Sequence, residues 1–143
     1  MKKRGVRIGL DIGRVRTGIS RSDESGTIVF PHDVVLSETL PEVIQKLIQE
    51  FEPITFYIGL PTNLQGDEGI AAKEIRNTAD AIFATIDTPH VYVDERMTTR
   101  IAESRLRNLE FSQRDMRSKI DAMAAVVLLE DALDLEQRSF INE

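Results

Sequence analysis

Three short runs of β-forming residues, GVRIGLDI, RTGISRS and GTIVFPHDVV, follow one another between Gly5 and Val35 with only glycine-bearing turns between them. Runs this short and this closely joined pair back on their neighbours, which predicts a three-strand antiparallel meander at the start of the chain. The pattern then changes period. Thr39 offers an N-cap with Pro41 in the first turn and Glu42 three residues on, and Val43, Ile44, Leu47, Ile48 and Phe51 follow at helical spacing until Pro53 ends the helix after about Glu52. ITFYIGLP reads as a buried strand, TNLQGDEG as a polar loop, Ile70 to Ile86 as a helix, and HVYVDER as a further strand ending in acids. TTRIAESRLRNL reads as a helix capped by Thr98 or Thr99. A basic link, FSQRDMRSK, leads to a last helix with Ile120, Met123, Ala124, Val127, Leu128 and Leu133 as its apolar stripe. Hairpins followed by strand-helix-strand crossovers predict an α/β fold, a mixed five-stranded sheet flanked by about four helices.

A chain of 143 residues is long enough for one proper core, so residues 1–143 are read as a single domain. The absence of cysteine excludes disulfides, thiolate nucleophiles and cysteine-bound metal. His32 and His90 form no ligand spacing and read as loop or strand-edge residues, so any metal would be held by oxygens, which favours Mg²⁺ or Mn²⁺. No apolar run approaches the roughly 20 residues of a membrane span, and MKKRGVRIGLDIG turns polar too soon for a signal peptide. The expected location is the cytoplasm, with no membrane partner.

The net charge of −6 argues against indiscriminate binding to nucleic acid, but the charge is unevenly distributed. Residues 1–21 hold seven Lys or Arg against one acid, residues 22–95 three against fourteen, residues 96–119 seven against three, and residues 120–143 one against six. Two basic blocks thus sit on an acidic body. Brought together by the fold they would form a face for a polyanion; left apart they are solvated surface paired with nearby acids.

Three acids stand where acids are costly or conspicuous. Asp11 interrupts an apolar strand and needs a partner: Arg14, Arg16, the following turn, or a metal. Asp94 and Glu95 end a strand, where α/β proteins expose reactive groups, although Arg96 or Arg100 could simply neutralise them. Asp121 fits the third position of a helix capped by Ser118, which would make it a capping residue. Carboxylates from three such places, if convergent, repel one another unless a cation bridges them, and Mg²⁺ is the usual bridge. Such a cluster ringed by arginines suits hydrolysis of a phosphodiester.

The segments GLDIGRVRTGISRSD, IGLPTNLQGDEG, VDERMTTRIAESRL and KIDAMAAVVLLEDAL, in this order and spacing, resemble the YqgF/RuvX family of bacterial pre-16S rRNA nucleases, also described as Holliday-junction-resolvase-like. The resemblance covers roughly Arg4 to Leu135. It implies an RNase H-like fold, a cytoplasmic nuclease of ribosome biogenesis acting on the 5′ end of 16S rRNA, and a divalent-metal site. Asp11 stands at the family's first-strand acid, Glu95 at the acid of its D-E-R motif, and Asp121 at the acid opening its last helix. Ser20, Arg21, Thr62 and Met97 depart from the family pattern, and Arg21 either interrupts an apolar strand or points toward substrate.

The resulting expectation is a metal-dependent nuclease in which Asp11, Glu95 and Asp121 hold one or two Mg²⁺ or Mn²⁺ ions. Arg14, Arg16, Arg96, Arg114, Arg117 and Lys119 are the expected phosphate contacts, with FSQRDMRSK as a loop against the substrate or a plain surface linker. Asn63 and Gln65 either contact the strand or belong to an ordinary tight connection. The partner is precursor rRNA, possibly on the ribosome, or branched DNA, and the protein is a monomer or a homodimer. A resolvase on branched DNA would need two sites and hence a dimer. A non-catalytic RNA-binding assembly factor would keep the acids for folding. An actin-like ATPase, suggested by G-x-D-x-G alone, would need a second domain around its nucleotide.

Overall fold

The computed structural model describes residues 3–61, 68–94 and 113–141, with the backbone alone for 113–121 and 139–141. The elements are β1 (Arg7–Ile12), β2 (Arg16–Ser22), β3 (Val29–Leu36), a 3₁₀ turn (Ser37–Thr39), α1 (Leu40–Phe51), β4 (Thr55–Leu60), α2 (Ile70–Phe83), β5 (His90–Asp94) and α3 (Gln113–Ile141). The sheet order is β3-β2-β1-β4-β5. β1–β2 and β2–β3 are antiparallel, as the meander requires, while β1–β4 and β4–β5 are parallel. The expected mixed five-stranded sheet is therefore present, with three helices among the described residues. The helix read from TTRIAESRLRNL and the loop residues Thr62, Asn63 and Gln65 lie outside the described residues.

Strand alternation divides the chain between two cores. Ile8, Leu10 and Ile12 of β1, with Ile19, Phe56 and Ile58, pack against Leu40, Ile44 and Leu47 of α1 and Ala79 and Phe83 of α2. Arg7, Gly9 and Asp11 take the opposite face, where Tyr57 and Val93 pack with Leu128, Leu129, Ala132 and Leu133 of α3. Each large apolar side chain so buried contributes roughly 1.5–3 kcal/mol. Pro31 sits within β3 because β3 is an edge strand and the register with β2 shifts there, Ile19 facing Asp33 and Ser20 facing Pro31.

Three local expectations change. The Thr39 hydroxyl makes no cap bond and instead donates to the carbonyl of Leu36 at 2.6 Å, since a 3₁₀ turn leads into α1. Helix α2 stops at Phe83 rather than Ile86. The basic stretch before the last helix is not a link, because α3 already begins at Gln113. Gln, Arg, Met and Lys are good helix formers, and they extend the amphipathic segment toward its N-terminus.

α3 is fastened across the sheet by a buried ion pair. Arg7, 1% exposed, donates through Nη2 to Glu136 Oε1 at 3.0 Å, and the Tyr57 hydroxyl donates to Glu136 Oε2 at 2.6 Å. Burial, then the bond to Glu136, pushes the Tyr57 hydroxyl far above its usual pKa. Arg7 also donates to the carbonyls of Gly5 and Lys3, both at 2.7 Å. Removing one partner of a buried pair leaves the other charge uncompensated, so Arg7→Met is expected to cost about 3–5 kcal/mol in urea unfolding.

The β2–β3 turn is held by Asp23, whose carboxylate accepts from the Ser25 hydroxyl and from the amides of Thr27 and Ile28. These bonds, the Ser25 one first, lower its pKa from 3.8 to about 2. A carboxyl held below its unfolded pKa stabilises the fold above that value, and the stability is lost as pH falls through the folded one. The urea midpoint should therefore fall between pH 3.8 and about 2, and Asp23→Asn should flatten part of that fall.

Candidate functional site

Asp11 lies near the carboxyl end of β1, half-buried, opposite Gly18 of β2 and on the face that α3 crosses. Arg14, one of the partners the sequence offers for Asp11, is engaged on α2. The guanidinium of Arg14, 80% exposed, donates from Nε and Nη2 to Glu74 of α2, both at 3.3 Å. This pair closes one side of a cleft of about 720 Å³ beside Gly13, Ser37 and Pro61, floored by Ile12 and Ile75. Because Ile12 and Asp11 point to opposite faces of the sheet, the cleft and Asp11 lie on its two sides, near the same end of β1.

Asp121 belongs to α3, which carries it two turns in from Gln113. The capping reading is corrected accordingly: Ser118 is inside the helix, and position 121 lies beyond the first turn, where the free N–H groups are. Two anchor points fix how α3 crosses β1. Ala125 and Leu129 lie against Gly9, where a Cβ would meet the Ala125 carbonyl and Leu129 Cβ at 3.1 Å each. Further along, Glu136 meets Arg7. The helix thus runs antiparallel to β1, and its turn before Ala125, the one bearing Asp121, lies toward the end of the strand that holds Asp11.

Glu95 lies outside the described residues. Its neighbour Asp94 ends β5 and lines a groove of about 370 Å³ with Asp131, Asp134, Leu135 and Arg138. Among the described residues no three His, Asp or Glu side chains assemble into a metal-holding group. The trio expected from the sequence includes Glu95 and the side chain of Asp121, neither of which is described. An all-carboxylate donor set is the chemistry that Mg²⁺ and Mn²⁺ accept.

The first basic block is not one face. Arg7 is inside, Arg4 faces Glu24 at 3.5 Å, and Arg14 is held by Glu74. Arg21 neither breaks the apolar layer nor points to the side of Asp11. It shares the α1 face with Ile8, its guanidinium stacked 5.0 Å from the ring centre of Phe30 and 5.2 Å from that of Phe51. Arg16 is exposed at the start of β2. Arg114, Arg117 and Lys119 ride on the first turns of α3, on the same helix as Asp121, and Arg96 lies outside the described residues.

Sequence reasoning missed the Arg7–Glu136–Tyr57 lock and the Arg14–Glu74 pair. Their partners lie 129, 79 and 60 residues apart, and no local spacing signals them. It also missed a surface network in which Asp80 accepts from Tyr92 at 2.5 Å and meets His90 Nε2 at 2.8 Å. The bond from Tyr92 first, then that from His90, lowers the Asp80 pKa. Arg76 stacks over Tyr92 and pairs with Glu68, which ties the end of the β4–α2 connection onto α2.

The whole chain is similar to known proteins. A family model described as "RuvX: Holliday junction resolvase" matches residues 5–135. A Streptomyces avermitilis protein is 36% identical over 96% of this chain and 90% of its own length, and an Anaeromyxobacter protein is 37% identical over 89% and 95%. Both carry the name "Putative pre-16S rRNA nuclease". Among solved structures, Thermus thermophilus RuvC in complex with a Holliday junction substrate covers 94% of this chain and 96% of its own, with a TM-score of 0.58. At 11% identity that likeness bears on the fold, which is of the RNase H-like type expected. A family match over almost the full length, with relatives above 30% identity, identifies the chain as a member of the RuvX family.

Proposed function

We propose that the protein is a divalent-metal-dependent nuclease that hydrolyses a phosphodiester of precursor 16S rRNA near its 5′ end. The observation that carries the reading is Asp11, a half-buried strand carboxylate on the side of the sheet where α3 brings Asp121 toward the same strand end. An acid in that position is unfavourable for packing alone, and Asp121 has no capping role to explain it. The names borne by the family's members supply the substrate class.

In this reading Asp11, Glu95 and Asp121 hold one or two Mg²⁺ or Mn²⁺ ions. A cation bound there supplies Lewis acidity, neutralising charge at the phosphate and making water a better nucleophile. The chain itself holds the RNA strand, through Arg16, Arg96 and the first turns of α3 with Arg114, Arg117 and Lys119, and through Arg14 at the rim of the cleft. The strand Asp11 occupies is paired on both sides by neighbours, so the backbone that carries the carboxylate is held in place. The reading places the enzyme in the cytoplasm with its ribosomal precursor; among the described residues no helix is long and apolar enough to cross a membrane.

Asp11→Asn should bind Mn²⁺ far more weakly in calorimetry. It should also lose cleavage of an RNA with a precursor 5′ extension by on the order of a hundredfold or more, as several kcal/mol of transition-state stabilisation disappear. Unchanged metal-dependent cleavage would overturn the proposal. Metal-free, salt-sensitive RNA binding without cleavage by the wild type would favour an assembly factor. A second reading, a resolvase of branched DNA, is favoured by the description of the family model; it requires a dimer and a preference for four-way junctions over linear RNA.

The exposed Arg14–Glu74 pair is worth at most about 1 kcal/mol. Phosphate can therefore take Arg14 from Glu74 at little cost. Glu74→Gln is expected to tighten RNA binding up to about fivefold at low salt, and Arg14→Ala to weaken it and reduce the salt slope by about 0.7. Fluorescence anisotropy across a salt series measures both.

A further inference from the structure

Ser20 is fully buried on β2, and its hydroxyl donates to the backbone carbonyl of Ala125 in α3 at 2.6 Å. A mid-helix carbonyl already accepts the amide four residues on, but its second lone pair is available. The third member of the contact is Gly9, directly opposite Ser20 in the sheet. A Cβ at Gly9 would come within 2.4 Å of Ser20 Oγ and 3.1 Å of both the Ala125 carbonyl and Leu129 Cβ, so glycine is what lets the hydroxyl and the helix approach this closely without a shift. The hydroxyl then holds the helix there with a directional bond, which van der Waals packing of alanine against glycine does not supply.

That pin is close to the acids. Gly9 is two residues from Asp11 on the same face of β1, and Ala125 is one helical turn, about 6 Å, from Asp121. A helix is stiff over one turn, so a shift at Ala125 is passed on to the backbone of Asp121. We infer that Ser20 is a positioning residue of the acidic site, setting through Ala125 the height and register at which α3 presents Asp121 to Asp11. The inference rests on the reading of these acids as metal ligands. It assigns to Ser20, one of the positions where the chain departs from the family pattern, a role in metal selectivity. Mg²⁺ demands near-ideal octahedral geometry at short distances, whereas Ca²⁺ accepts longer and more variable ones, so loosening the helix penalises Mg²⁺ more.

The test is calorimetric titration of Mg²⁺ and of Ca²⁺ into wild type, Ser20→Ala and Ser22→Ala, with melting temperatures measured alongside. Ser22 is an equally buried hydroxyl two residues along β2, accepting from the Arg7 amide at 2.9 Å, far from the acids. Ser20→Ala is expected to weaken Mg²⁺ by about three- to tenfold, less than the 10–100-fold typical of groups bonded directly to a ligand, and Ca²⁺ by less than about twofold. Ser22→Ala is expected to lower the melting temperature while leaving both affinities unchanged. If Ser20→Ala fails to fold, Ser20→Cys, which keeps the size and weakens the donor, is expected to give the same selective loss. Wild-type Mg²⁺ affinity in the Ser20 variant overturns the inference and leaves the nuclease reading intact, as does equal weakening of both cations. A wild-type protein that binds neither cation overturns both.

Discussion

The close crossing of α3 over β1 and β2 is the constraint on which the rest of the arrangement depends. It is fixed at two places with different chemistry: the Ser20–Ala125 bond over Gly9, and the buried Arg7–Glu136 pair shared with Tyr57. Two fixed points determine both the height of a helix and its direction. Without the glycine the helix would ride higher, and without the ion pair it could pivot about Ser20. Holding both brings the N-terminal half of α3 to the end of β1 where Asp11 stands.

The same design explains why a chain of net charge −6 can be read as a binder of a polyanion. Much of its positive charge near the N-terminus is used structurally: Arg7 inside the fold, Arg21 between two phenyl rings, Arg4 beside Glu24. In the proposed reading the phosphate backbone is met by Arg14 and Arg16 near the end of β1 and by the basic residues on the first turns of α3. The acids of the groove beside β5, Asp94, Asp131 and Asp134, share it with Arg138, which pairs with Asp134 at 2.8 Å.

The topology was legible because it rests on local signals: period-two runs broken by glycine for the meander, period-four runs for α1, α2 and the body of α3. The limits of legibility are equally physical. Helix-forming basic residues before Ile120 looked like a linker because their charge hid their propensity, and moving the helix start to Gln113 removed the capping role of Asp121. Arg21 looked like an intrusion into an apolar strand, yet its planar cation is accommodated by Phe30 and Phe51, one from a neighbouring strand and one from α1. Asp11 was conspicuous in the sequence as an acid among apolar residues; Ser20 stood out only as a departure from the family pattern, since a serine in a strand carries no sign of the helix carbonyl it will meet 105 residues later.

Anomalous diffraction from a crystal of the protein grown with Mn²⁺ tests the central claim most directly, since it locates the ion without relying on activity. The account predicts an anomalous peak between the end of β1 at Asp11 and the turn of α3 bearing Asp121, with Glu95 as a further ligand. A peak only in the groove of Asp94, Asp131 and Asp134, or none near Asp11 at saturating Mn²⁺, would contradict it.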